Sequence, residues 1–153
     1  MTEVDPQVRF EYTHGPCLYS NLAGIEPEVI EDRHIRLRMP LSFIHVNHVG
    51  VAYAGSLFVL AEVSAGALFT QVFGTGKFVP IIQSASIKYV APGKSAMIVD
   101  VEVPEEEAAA KVKMIEERGR GRVPFNLTIT DEDGTVLSEA EFVTYALPAN
   151  ANL

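Results

Sequence analysis

The sequence predicts a mixed α+β fold in which an antiparallel sheet curls over one long apolar helix, on three observations. From Val49 to Phe73 the chain reads VGVAYAGSLFVLAEVSAGALFTQVF, with a single carboxylic acid, Glu62. Small residues run through that stretch (Ala52, Ala54, Gly55, Ala61, Ala65, Gly66, Ala67) and let other backbone approach closely, as in a helix buried on nearly every side. Outside it, apolar residues recur with period two, the signature of strands with one covered face. The order along the chain is strand, helix, then further strands, so five or six strands surround one buried helix.

Each element has its own signal. The first thirty residues carry weak patterns, and His14-Gly15-Pro16 reads as an irregular segment. Residues 33–39 put Ile35, Leu37 and Met39 on one face and Arg36 and Arg38 on the other, a half-solvated strand. Val79–Ala91 and Ser95–Val103, separated by Pro92-Gly93, read as a hairpin. Pro104 followed by Glu105, Glu106 and Glu107 opens a surface helix with acids at its positive end and Arg118-Gly119 at its close. Ala108, Val112 and Ile115 form its inner side. Phe125, Leu127 and Ile129, the turn Asp131-Glu132-Asp133-Gly134, and residues 135–146 form a second hairpin.

Composition narrows the function. A chain of 153 residues with 48% hydrophobic and 21% charged residues is one globular domain, its core spanning about 30–147. A net charge of -8 repels nucleic-acid phosphates and anionic membrane faces. Length alone lets the apolar run cross a bilayer, but the central Glu62 and the lack of basic flanks argue against a span. Cys17 stands alone, and the opening residues lack the basic-then-apolar pattern of a secretory signal, so the cytoplasm is expected. Four histidines without ligand spacing and one cysteine predict no metal and no cofactor.

Glu62 is the residue that calls for a reason. A carboxylate without a partner in apolar surroundings is costly, and proteins answer by raising its pKa, which suits a base or nucleophile. The competing reading is a structural acid hydrogen-bonded to Asn47 or Gln83.

The element order, and the stretch NHVGVAYAGSLFVLAE from Asn47 to Glu62, resemble the hotdog-fold acyl-CoA thioesterases, above all the phenylacetate-pathway type and related hotdog proteins. Those proteins carry an asparagine, six residues later a His-Gly-Gly or similar small turn, and then a helix with Leu-Ala-Asp or Leu-Ala-Glu. Here Asn47, Tyr53-Ala54-Gly55 and Leu60-Ala61-Glu62 hold those places, with Tyr53 where the relatives have histidine and Ala54 where they have the first glycine. The resemblance implies a hotdog fold, hydrolysis of an acyl-CoA thioester, and a homodimer or homotetramer with active sites at the subunit interface. Some relatives also carry a hydroxyl residue one turn beyond the acid, where this chain has Gly66.

Helix geometry bears on that implication. If the helix starts near Ala54, its first N–H groups carry the positive end of the dipole and suit a developing oxyanion. Glu62 lies eight residues further, about 12 Å along the axis, so a second subunit has to supply one of the two groups. The catalytic candidates are Glu62, Ala54 and Gly55, with Asn47 added by what the resemblance implies. Substrate-binding candidates are Tyr53, His48, Ser84, Arg118 and Arg120, the two arginines belonging to a basic cluster with Arg122, Lys111 and Lys113 that could hold coenzyme A phosphates. Solvation of a helix end is an equal reading of that cluster. Two alternatives remain: a hotdog dehydratase or hydratase working through His45 or His48, and a non-catalytic acyl-thioester-binding protein.

Overall fold

The computed structural model describes Pro6 and residues 17–152, so the His14-Gly15-Pro16 reading lies outside the described residues. In chain order the elements are α1 (Leu18–Leu22), β1 (Glu26–Glu31), β2 (His34–Met39), α2 (Ala54–Phe73), β3 (Phe78–Tyr89), β4 (Met97–Glu102), α3 (Glu105–Arg118), β5 (Gly121–Thr130) and β6 (Val136–Pro148). The six strands form one sheet in the order β1-β2-β4-β5-β6-β3, every described pairing antiparallel. The sheet wraps α2, which touches all six strands and α3.

Period-two alternation fills the space between sheet and helix. Ile35, Leu37 and Met39 of β2, Val99 of β4, and Val123, Phe125, Leu127 and Ile129 of β5 are buried. They meet Leu57, Leu60, Ala61, Leu68 and Phe69 of α2 in one core. By length and apolarity α2 could cross a membrane, but it lies inside the sheet, with 11 of its 20 residues buried. Burial of most of its circumference inside the sheet, rather than a lipid face, explains its apolar composition. The surface helix is also found, with Ala108 and Ile115 buried and Gly119 closing it in the left-handed region (φ 77).

One expectation about the sheet changes. The stretches Val79–Ala91 and Ser95–Val103 do not pair with each other: β3 pairs with β6, and β4 lies between β2 and β5. Between them the chain crosses the end of the sheet, where the Val90 N–H donates to the Leu137 carbonyl and the Gly93 carbonyl accepts from Ala52. Both strands are apolar on the helix side, so local alternation does not choose the partner. A sixth strand, β1, pairs with β2 through a turn in which Arg33 takes φ 59. Its sequence, EPEVIE, has only one buried residue, Ile30, and a bulge beside Pro27, marks of a protected edge.

The other edge is β3, and a bulge decides which way its side chains point. The register shifts between Ile82 and Ser84, leaving Gln83 as the extra residue. Ile82 opposite Thr144 and Ile87 opposite Ala140 therefore both face the core although five residues apart, and Tyr89 follows in that phase. Ser84, opposite Val143, takes the outward phase.

Candidate active site

The start of α2 is set by the loop before it. Tyr53 is the N-cap with extended backbone (φ -68, ψ 137), its N–H donating to the His45 carbonyl at 2.8 Å. Asn47 Oδ1 accepts the N–H groups of Val49 (3.1 Å) and Val51 (3.2 Å), which closes the turn and lets Val46 bridge to Ala52. The Tyr53 carbonyl accepts from Ser56 and Leu57 at 2.9 and 3.2 Å. Among the described residues, the N–H groups of Ala54 and Gly55 meet no acceptor. Two free donors at the positive end of a 20-residue helix suit a developing negative charge.

Aromatic side chains frame those donors. The Tyr53 ring lies over Gly55, so a Cβ there would stand 2.9 Å from Tyr53 Cδ1. The Tyr89 hydroxyl donates to the Ala54 carbonyl at 3.2 Å. The bulge at Gln83 is what turns Tyr89 toward the helix.

Glu62 lies two turns further along α2, on the one stripe the sheet leaves open. Gly55, Phe58, Val59, Glu62 and Gly66 recur at helical spacing and are exposed or half-buried, while Ala61, Val63, Ser64 and Ala65 are buried. Burial pushes the Glu62 carboxyl above the usual carboxylate range. Among the described residues it has no hydrogen bond and no ion pair. The Asn47 oxygen is held by its own turn, and Gln83 sits exposed on the bulge, so neither anchors the acid. Ser64 donates to the Leu60 carbonyl at 2.7 Å and faces the core.

The remaining candidates separate. Within one chain, Arg118 and Arg120 lie exposed at the end of α3, beside the start of β5, whose Gly121 pairs with Ala146. That end of the sheet also holds Phe78, opposite Pro148, and follows the C-terminus of α2, whereas Tyr89 and Ala54 mark the other end. Ser84 points away from α2, and His48 is exposed on the loop. His45 is buried with both ring nitrogens engaged: Nδ1 accepts the Ser42 N–H at 3.0 Å, so Nε2–H donates to the Ala23 carbonyl at 2.6 Å. It ties the end of α1 to the loop. Beside it Tyr19, Leu22, Met39, Ile44, Phe58 and Val59 line a cavity of about 500 Å³ that the sequence did not reveal.

Residues 18–146 match the model of a family described as a domain of unknown function, DUF4442. The chain belongs to this family. A crystal structure from Pseudomonas aeruginosa, of a protein of unknown function called a probable thioesterase, shares 30% identity and superposes with a TM-score of 0.84, covering 95% of this chain and 97% of that one. A thioesterase enzyme from Staphylococcus aureus, crystallised as a mutant, gives 14% identity and a TM-score of 0.70 over 86% of this chain and 99% of its own. A hypothetical thioesterase from Streptococcus pneumoniae, crystallised with coenzyme A, gives 22% and 0.62 over 83% and 91%. No curated protein matches the sequence. This DUF4442 chain is thus a hotdog-fold protein of the thioesterase superfamily, in agreement with the resemblance carried by Asn47, Tyr53-Ala54-Gly55 and Leu60-Ala61-Glu62.

Proposed function

We propose that the protein hydrolyses an acyl-CoA thioester, with Glu62 of one subunit facing the α2 N-terminus of another. The observation that carries this reading is the unpartnered, half-buried Glu62 on the open stripe of a helix whose first N–H groups are also free. Glu62 attacks the thioester carbonyl, or takes a proton from a water that does. The negative charge on the carbonyl oxygen is met by the N–H of Ala54 or Gly55. Collapse breaks the C–S bond and coenzyme A leaves as the thiolate, which takes up a proton. On the water route this gives the free acid at once; on the direct route it leaves a mixed anhydride on Glu62 that water hydrolyses to the free acid and the Glu62 carboxylate. Asn47 shapes the loop that presents those donors.

The second subunit enters because eight residues of helix separate Ala54 from Glu62, about 12 Å. The edge strand β3 is the surface proposed for pairing. It is twelve residues long, with Lys88 its only charge, and Ser84, Ala85 and Ser86 are exposed. The opposite edge, β1, is short and acidic. An antiparallel pair of β3 strands satisfies the open ladder and joins two sheets. In such a dimer Arg118 and Arg120 serve the coenzyme A phosphates of the neighbouring site, a role supported by the coenzyme A bound to the pneumococcal relative.

The dehydratase reading is weaker, because His45 has no free ring nitrogen for proton transfer and His48 is exposed on the loop. Release of free thiol from acyl-CoA tests the proposal. Glu62→Gln should lower kcat/KM by about 10²–10⁴-fold with fold and dimer intact; unchanged turnover would remove Glu62 from the chemistry.

A further inference from the structure

The cavity beside the α2 N-terminus has a composition that selects its occupant. It holds about 500 Å³ between α1, the loop after β2 and the first two turns of α2. Leu22, Met39, Ile44, Phe58 and Val59 supply apolar surface, and the Phe58 ring is braced by Phe142 at 5.2 Å between centroids. Among the described residues, its lining includes no Lys, Arg, Asp or Glu. His45 presents no free ring nitrogen to the cavity, since Nδ1 accepts the Ser42 N–H and Nε2–H donates to the Ala23 carbonyl.

The walls run toward the chemistry. Gly55, Phe58 and Val59 lie on the same stripe of α2 as Glu62. Tyr19 and Leu22 of the short helix α1 stand at the cavity mouth. At that mouth Tyr19, Leu22 and Ile44 are 68%, 77% and 54% exposed. Apolar groups left open around a concave site are what a ligand covers.

We infer that this cavity binds the acyl chain of the substrate, that the chain is uncharged and of medium length, and that α1 is the element that sets the preference. The inference rests on the thioester reading for the identity of the ligand. A terminal carboxylate would enter a lining in which no described residue is a cation to meet it, in a molecule of net charge -8.

Calorimetric titration of the wild-type protein with S-alkyl-CoA thioethers, which cannot be hydrolysed, tests this directly. S-octyl-CoA should bind at least about a hundredfold tighter than S-ethyl-CoA, since each buried methylene is worth about fourfold in affinity. A thioether of the same length ending in a carboxylate should lose that gain. Leu22→Asp, at a side chain too exposed to affect folding, should weaken S-octyl-CoA at least tenfold and leave S-ethyl-CoA unchanged. Equal affinity for ethyl and octyl, equal affinity for the carboxylated chain, no binding of any thioether, or a Leu22→Asp effect on both lengths would each overturn the inference. Tight S-octyl-CoA binding without hydrolysis of octanoyl-CoA would instead defeat the thioesterase reading and leave the cavity assignment standing.

Discussion

Tyr53 and Gly55 occupy one space: the tyrosine ring lies over the glycine Cα, and a Cβ at 55 would meet Cδ1 at 2.9 Å and Cζ at 3.1 Å. The two residues bracket Ala54, whose N–H is free at the start of α2. The ring is 54% exposed, so it can swing aside rather than break the helix. Gly55→Ala should therefore change stability by less than about 1 kcal/mol, the collision being offset by the higher helix propensity of alanine. Displacement of Tyr53 should lower kcat/KM at least about tenfold, and the double variant Gly55→Ala/Tyr53→Ala should show non-additive effects of contacting residues. Melting curves and steady-state rates on the three variants check this; simple additivity would mean that the pair is not coupled.

His45 is a structural histidine. Its ring joins Ser42 to Ala23 from a site 4% exposed, so His45→Ala leaves buried polar groups unpaired around a void. A loss of about 2–4 kcal/mol in urea unfolding is expected. The pH profile of the remaining activity should keep its shape, because His45 moves no proton; a lost limb in that profile would return the dehydratase reading.

Burial raises the Glu62 pKa, and the sign of its effect on stability follows. The folded state holds the proton to higher pH than the unfolded state, so the burial penalty is absent below the ordinary carboxylate range. It grows as pH climbs from that range through the raised folded value. Glu62→Gln should thus melt higher than wild type at neutral pH, with the difference vanishing in acid. An advantage that instead grew toward low pH would contradict the assignment of burial as the cause. Wild-type hydrolysis should rise with pH through an inflection above the usual glutamate range.

The legible parts of the molecule were those with local causes. The helix from Ala54 to Phe73 follows from its continuous apolarity, and β2, β5 and β6 from alternation that one covered face imposes. The pairing of β3 and β4 was not legible, because each offers the same inward apolar face and the choice between neighbours depends on β2, β5 and β6. β1 escaped notice because Glu26, Pro27 and Glu28 guard an edge and do not look like a strand. At the site, Glu62 stood out as a lone acid. Tyr89 and the cavity did not, since one depends on the bulge at Gln83 and the other assembles Tyr19, Leu22 and Ile44 from segments without period.

Subunit complementation tests the shared site most directly. Ala54 is the first residue of α2, where proline is tolerated, and Tyr53 before it already has the extended backbone that proline requires. Ala54→Pro therefore deletes an N–H donor without breaking the helix. Ala54→Pro and Glu62→Gln should each be nearly inactive alone. Unfolded together and refolded as a mixture, they should recover about a quarter of wild-type thiol release, the share of intact sites expected when half the dimers are mixed and each has one intact site of two. Full inactivity of the mixture, with mixed dimers demonstrated, would place both groups in one chain and contradict a site shared between subunits.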